Sequence, residues 1–200
     1  MTIEQFITKV LSVSKIGLKY STDNYAIENY EELEKLSLQM LNTNFKDPID
    51  ESIFIRDIYP TPNVSVRVMI INEDDEILFV KEADEKKWTV PGGWCDLFLS
   101  SKENAIKEVS EEVGLDITIE RMLATFLREK YRNPNTNLSD YVTYYLARVK
   151  NDVKINIGFE VLDAKFYNIN DLPELATKAT KEELMIAYNV LKNNLDVYFD

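Results

Sequence analysis

The sequence predicts an α/β fold: a layered α/β/α sandwich with a mixed sheet, preceded by a small N-terminal helical hairpin. Two amphipathic helical patterns occupy the first 43 residues, strand patterns dominate after residue 62, and two further helices interrupt the strands. Strands interleaved with well-separated helices are typical of a sheet covered by helices on its faces. We therefore expect a hairpin over residues 1–43, a linker over 44–62 and one α/β domain over 63–200.

Apolar side chains at helical spacing predict the N-terminal hairpin. Its first helix covers about residues 3–20 and its second about 26–41, with a polar turn at 21–24 between them. Prolines at 48, 60 and 62 break the stretch that follows, which makes it the expected junction. Two helices of this length cannot bury both apolar stripes between themselves, so the surplus must cover the α/β domain or another subunit.

Strand patterns and two capping boxes predict the elements of the α/β domain. Strands are expected at 64–71, 77–81, 88–90, 117–127, 141–149 and 164–167, with the first two joined as a hairpin. Ser100 and Glu103 begin a third helix that Gly114 ends. A second capping box, at Thr180, begins a final helix that runs to about Leu195.

The third predicted helix carries three carboxylates, Glu108, Glu111 and Glu112, at i, i+3 and i+4. This spacing gathers them on one face, where exposed like charges repel by a few tenths of a kcal/mol per pair, roughly. Hard oxygen ligands in a partial shell suit Mg²⁺ or Mn²⁺, so the cluster predicts a metal site. A solvated acidic helix face is the alternative, and the glycine pair Gly92-Gly93 before the helix favours the site.

Composition excludes several classes of function. A net charge of −12 argues against binding to a nucleic-acid backbone, but a small phosphorylated substrate is compatible with it if metal ions offset the charge. The chain has no histidine, which removes Ser-His-Asp and Cys-His catalysis and most zinc sites. Its one cysteine, Cys95, is expected to pack, and a reducing cytoplasm is the expected location. We expect neither a membrane span nor a secretory signal.

The segment from the glycine pair to the end of the third helix resembles the signature of the Nudix hydrolases. The residues that match in register are Gly93, Glu108, Val109, Glu111, Glu112, Gly114 and Leu115, with Pro91 and Gly92 before them. The resemblance implies the Nudix α/β/α sandwich and a metal-dependent attack of water on a diphosphate bridge. It also implies that Glu108, Glu111 and Glu112 hold the metal, with Glu111 or Glu112 as the proton acceptor.

The resemblance extends to the subgroup of Nudix hydrolases with a helical N-terminal extension. Its entry to the first strand is similar to Tyr59-Pro60-Thr61-Pro62, which Val64-Ser65-Val66-Arg67 follows here. Members of that subgroup are dimers that cleave a nucleoside diphosphate linked to a group X, such as ADP-ribose or CDP- and UDP-linked compounds. The resemblance therefore implies a homodimer with a small nucleotide substrate.

Further site candidates come from the same resemblance and from residue chemistry. Glu160 resembles a late acidic residue that provides a further base or metal ligand, or it is a surface glutamate. Arg67 clamps a terminal phosphate or pairs with an acidic neighbour, and Arg132, beside Lys130, meets phosphate or base. Trp94 stacks on a base or packs. Backbone N–H groups near Gly92 and Gly93 can approach the phosphates, which bulky residues would hinder.

Three positions depart from the family signature. Leu99 stands where the signature has glutamate, Lys107 where it has arginine, and Phe98 where glycine is common. The missing glutamate and arginine would form an orienting pair, and a lysine lacks the rigid two-pronged fork of arginine. Leu99 and Lys107 support one alternative to the hydrolase, a catalytically impaired domain that binds a nucleotide-sugar or ADP-ribose as a regulatory ligand. A further alternative, a pure interaction module, rests only on the N-terminal hairpin.

Overall fold

The computed structural model describes residues 2–44, 61–96, 98–132 and 139–200. The chain divides into two compact units, one containing the two N-terminal helices and the other containing the sheet. Most of the expected linker over 44–62 lies outside the described residues, and the predicted domain boundaries stay a prediction.

The first unit is built on α1 (Ile3–Tyr20) and α2 (Asn24–Asn44). Helix α1 begins at a capping box that was not predicted, in which the backbone N–H of Gln5 donates to Thr2 Oγ1 over 3.2 Å. Lys15 and Glu34 form an ion pair of 2.8 Å between the two helices. Apolar side chains remain exposed on both helices, namely Ile3, Phe6, Val13, Ile16, Tyr20, Tyr25, Leu33, Leu36 and Met40.

The second unit contains seven strands and two helices. The strands are β1 (Asn63–Ile71), β2 (Ile77–Glu82), β3 (Trp88–Thr89), β4 (Arg121–Leu127), β5 (Asp140–Arg148), β6 (Val161–Tyr167) and β7 (Tyr198–Phe199), and the helices are α3 (Ser101–Val113) and α4 (Lys181–Lys192). The sheet has the order β3-β2-β1-β5-β4-β7, and β6 also pairs with β2, in the antiparallel sense. Strand β1 is parallel to β5 and antiparallel to β2, which confirms the predicted mixed α/β sheet.

Two local predictions were wrong. Residues 117–120 do not form a strand, although Ile117 and Ile119 are buried, because they pack as an irregular segment into the core beside α3. The final helix ends at Lys192 rather than near Leu195, and the short strand β7, which was not predicted, follows it. Among the described residues, no helix has both the length and the apolar character that crossing a membrane requires.

The pairing of β1 positions the site. Strand β2 pairs with β1 only at Ile71 and Ile77, so the rest of this edge of β1 is open to another partner. The segment after β3 takes that place: the backbone N–H of Val66 donates to Gly93 O over 2.9 Å, and that of Val68 donates to Pro91 O over 2.8 Å. Both of these β1 side chains also pack in one core with the apolar face of α3, so β1 fixes the glycine pair and the acidic helix together.

Candidate active site

Helix α3 is held at both ends, which fixes its three carboxylates. Ser100 Oγ accepts from the backbone N–H of Glu103 over 3.2 Å, and the Glu103 carboxylate accepts from the backbone N–H of Ser100 over 2.7 Å. Gly114 ends the helix with φ +65°, the left-handed conformation that glycine adopts without a side-chain clash. The predicted capping box and stop are both present.

Glu112 is the most buried of the three carboxylates. It is 8% exposed, and its Oε2 accepts from the backbone N–H of Gly92 over 3.0 Å. Burial raises the pKa of Glu112 to about 7, against the opposing charge of Arg67 and the Gly92 hydrogen bond, while Glu108 and Glu82 raise it further. The backbone N–H of Gly92 was predicted to approach phosphate. In this structure it donates to the carboxylate of Glu112 instead.

Glu108 lies directly against the second glycine of the pair. A Cβ atom at Gly93 would come within 2.4 Å of Glu108 Oε2, so a side chain at this position would displace the carboxylate. Burial is the largest cause of the raised pKa of Glu108; Glu111 and Glu160 add to it, and Lys107 opposes it. Glu160 therefore acts electrostatically on Glu108, although 52 positions separate the two residues in the sequence.

Glu111 is exposed and engaged by Lys107. Lys107 Nζ lies 2.7 Å from Glu111 Oε2 and 3.2 Å from Asp96 Oδ2, and both contacts raise the pKa of Lys107. The lysine at the arginine position thus has two carboxylate partners, Glu111 and Asp96, and neither is the residue at position 99. Phe98 is fully exposed with φ +67°, so it adopts a left-handed conformation that favours glycine.

Arg67 is 2% exposed, and its Nη1 donates to Val66 O over 3.0 Å. Burial lowers the pKa of Arg67, Arg128 lowers it too, and the nearby Glu112 and Glu82 oppose the change. This environment favours the second of the two predictions for Arg67, an electrostatic partner of acidic neighbours, over a clamp on a terminal phosphate.

The loop before β6 packs on the end of α3. The backbone N–H of Gly158 donates to Glu112 O over 2.9 Å, and a Cβ atom at Gly158 would come within 1.9 Å of Glu111 O. Glu160 thereby reaches a cavity of about 340 Å³ that Glu112 also lines. The cavity is lined by three further charged residues that sequence reasoning missed, Glu82, Asp84 and Lys178.

The remaining two predicted candidates lie in different surroundings. Arg132 is partly buried, and its Nη1 donates to Thr177 O over 3.2 Å while Nη2 lies 3.7 Å from Asp140 Oδ2, so the described contacts are internal. Trp94 forms a β-bridge with Ser65 through its backbone, and its side chain is 56% exposed. Stacking of Trp94 on a base stays a prediction.

The donor chemistry suits a divalent cation, although the carboxylates are not gathered into a complete ligand set. Among the described residues, no three acidic side chains converge on a common point at metal-ligand distances. Glu108 and Glu112 nevertheless offer hard oxygen donors whose raised pKa shows that their charges are poorly compensated by the protein. A cation beside them would supply the missing compensation.

Comparison with known proteins agrees with this architecture. The family model described as "NUDIX domain" matches residues 61–188, and one described as "UDP-X-like, N-terminal oligomerisation domain" matches residues 3–51. A Bacillus subtilis (strain 168) protein named "Putative ADP-ribose pyrophosphatase YjhB" is 32% identical over 192 residues, covering 92% of this chain and 90% of that protein.

Two solved structures are similar in fold and in sequence. The crystal structure of a UDP-X diphosphatase superposes with a TM-score of 0.63 at 28% identity, covering 98% of this chain and 96% of the other. An ADP-ribose pyrophosphatase from Streptococcus suis 89-1591 has a TM-score of 0.60 at 32% identity, covering 70% of this chain and 100% of the other.

Proposed function

The chain belongs to the Nudix family, and from this membership we propose that it is a metal-dependent pyrophosphohydrolase that cleaves nucleoside diphosphates linked to a group X. ADP-ribose and UDP- or CDP-linked compounds are the candidate substrates, because similar proteins are named for ADP-ribose and UDP-X. The observation that carries the proposal is the pair Glu108 and Glu112, set against the glycine pair and, at Glu112, beside a cavity large enough for a small ligand.

In the proposed reaction, water attacks one phosphorus of the diphosphate bridge and the bridging P–O bond breaks, giving a nucleoside monophosphate and X-phosphate. Glu108, Glu111 and Glu112 would hold Mg²⁺ or Mn²⁺, with Glu160 as a fourth carboxylate. The bound cation would neutralise phosphate oxygens and lower the pKa of the attacking water.

The other roles in the proposed reaction are assigned to individual residues of the site. Glu111 or Glu112 is the proposed proton acceptor, and different groups hold the two carboxylates: Glu112 Oε2 accepts from the backbone N–H of Gly92. The carboxylate of Glu111 is instead engaged by Lys107. The absence of a side chain at Gly93 leaves room for the Glu108 carboxylate.

The second candidate function is a catalytically impaired domain that binds a nucleotide-sugar or ADP-ribose as a regulatory ligand. It draws support from Lys107, which holds Glu111 through a flexible ammonium, and from Leu99, which brings no carboxylate to the signature position. Either departure would slow turnover without removing the binding cavity.

A substrate panel distinguishes the two functions. The protein would be incubated with ADP-ribose, UDP-glucose, CDP-choline and their parent nucleotides with Mg²⁺ or Mn²⁺, and released phosphate would be measured after coupling to a phosphatase. Turnover that chelator abolishes supports the hydrolase. Saturable binding of ADP-ribose or UDP-glucose without turnover would support the regulatory function.

We also propose that the protein acts as a homodimer through its N-terminal hairpin. The exposed apolar side chains of α1 and α2 would be costly in water, and the match to an oligomerisation domain over residues 3–51 suggests a second subunit as their cover. With a single cysteine, a reducing cytoplasm is the proposed location.

A further inference from the structure

We propose that Lys178 binds the diphosphate group of the substrate in the cavity beside Glu112. This inference rests on the proposed function and deepens it, because it names a phosphate-binding residue outside the family signature. The cavity of about 340 Å³ is lined by four acidic residues, Glu82, Asp84, Glu112 and Glu160. Among the described residues that line it, Lys178 is the one cationic side chain.

The contacts of Lys178 leave it capacity for an anion. Its Nζ lies 2.7 Å from Glu82 Oε2, and its side chain is 43% exposed while that of Glu82 is 6% exposed. An ammonium group has three N–H donors, so one contact with Glu82 leaves two for phosphate oxygens. The ammonium therefore lies between a buried carboxylate and an open cavity.

The backbone that carries Lys178 is fixed from two sides. Arg128 Nη2 donates to Lys178 O over 2.5 Å, and Arg128 is itself buried in an ion pair of 2.9 Å with Asp140. On the other side of the segment, the backbone N–H of Thr177 donates to the carboxylate of Glu85 over 2.9 Å. A cation on a segment held in this way is preorganised, so little entropy is lost when it engages a ligand.

The acidic lining of the cavity makes the positive charge of Lys178 important for binding an anion there. The four lining carboxylates repel a diphosphate, and divalent ions at Glu108 and Glu112 would offset part of that repulsion. Lys178 supplies positive charge near Glu82, on β2. Binding of a diphosphate in the cavity would therefore depend on Lys178 as well as on the metal.

The test compares Lys178→Gln with Lys178→Arg and with a matched control, Lys192→Gln. Lys192 is also 43% exposed and also pairs with a carboxylate, that of Asp75, but it does not line the cavity. The probe is α,β-methylene-ADP, whose P–C–P bridge cannot be hydrolysed, titrated calorimetrically in the presence of Mg²⁺. Loss of a charge-assisted hydrogen bond predicts weaker binding by on the order of 10- to 100-fold for Lys178→Gln.

Lys178→Arg should retain most of the affinity, and Lys192→Gln should bind as the wild type does. In turnover of ADP-ribose, Lys178→Gln should raise KM by a similar factor and leave kcat within about twofold, because a contact made equally in ground and transition states changes KM alone. Unchanged binding by Lys178→Gln would overturn the inference.

A double variant separates direct contact from an indirect effect. If Lys178 acts only by neutralising Glu82, then Glu82→Gln with Lys178→Gln should restore wild-type binding, and that result would also overturn the inference. Direct contact predicts that the double variant stays weak. Failure of the proposed function is distinguishable, because it would appear as absence of turnover in the wild type while the binding comparison still decides the role of Lys178.

Discussion

Replacement of Glu112 by glutamine should stabilise the metal-free protein at alkaline pH. The pKa of Glu112 rises from 4.5 to about 7 on folding because its carboxylate is buried. Each tenfold change in proton affinity is worth about 1.4 kcal/mol, so the ionised carboxylate destabilises the fold by up to about 3 kcal/mol at pH 8. A folded pKa above the unfolded one means that this penalty is absent below about pH 4.5 and grows until the pH passes about 7.

The Glu112→Gln variant removes the penalty. At pH 8 its free energy of unfolding should exceed that of the wild type by up to about 3 kcal/mol, which corresponds to roughly 6–12 °C in Tm, and at pH 5 by less than about 1 kcal/mol. The measurement is urea and thermal unfolding with chelator, at equal protein concentration. Glu111→Gln is the matched control, because Glu111 is exposed and should shift stability by no more than about 0.5 kcal/mol at either pH.

Titration with Mg²⁺ is a second, independent test of the same site. Mg²⁺ should raise the Tm of the wild type at pH 8 and raise that of Glu112→Gln much less, since a ligand stabilises only the state that binds it. Hydrolysis by Glu112→Gln should fall by on the order of 100-fold or more. A Glu112→Gln protein that is less stable than the wild type at pH 8, or equally stabilised at pH 5 and pH 8, would refute the burial argument.

Three further outcomes are expected. Gly93→Ala should lose most activity with little loss of Tm, because the new Cβ meets the flexible end of Glu108 at 2.4 Å; activity equal to the wild type would contradict this placement. Asp96→Asn and Lys107→Gln should show a coupling energy of about 0.2–1 kcal/mol in a double-mutant cycle of unfolding, and additive effects would mean that the exposed pair does not form in solution. Deletion of residues 1–43 should give a monomeric or aggregating protein by light scattering, whereas a stable truncated dimer would place the interface elsewhere.

Local sequence signals predicted the acidic helix well. The capping box at Ser100, the stop at Gly114 and the apolar period of α3 are all short-range features, and each is present in the structure. The mixed sheet followed from the alternation of strands and helices. Strand β7 is only two residues long and pairs in parallel with β4, so it depends on tertiary packing and carries no local signal.

The site was less predictable because its parts meet through the fold. Glu82 lies at the end of a buried strand and Lys178 in an irregular segment, and 96 positions separate them in a sequence that shows no pattern linking the two. The local signal for Glu82 was that two charged residues, Lys81 and Glu82, end a strand that is otherwise apolar. Phe98 stands where glycine is common in the signature, and its φ of +67° shows that the backbone keeps a left-handed conformation there, at a strain of about 1–2 kcal/mol.

A bound proton and nearby lysine side chains compensate the negative charges of the acidic site. This compensation explains how the fold tolerates the site without a divalent cation. Glu112 has a pKa high enough to hold a proton near neutrality, Glu111 has the ammonium of Lys107, and Glu82 has that of Lys178. Each of these partners is weaker than a divalent ion, because a proton leaves as the pH rises and an exposed ammonium is screened by water. A divalent cation would therefore compete with a proton at Glu112 and with Lys107 at Glu111. In that case Lys107, which stands at the arginine position of the signature and first suggested a defective site, would be a counter-charge that the cation displaces.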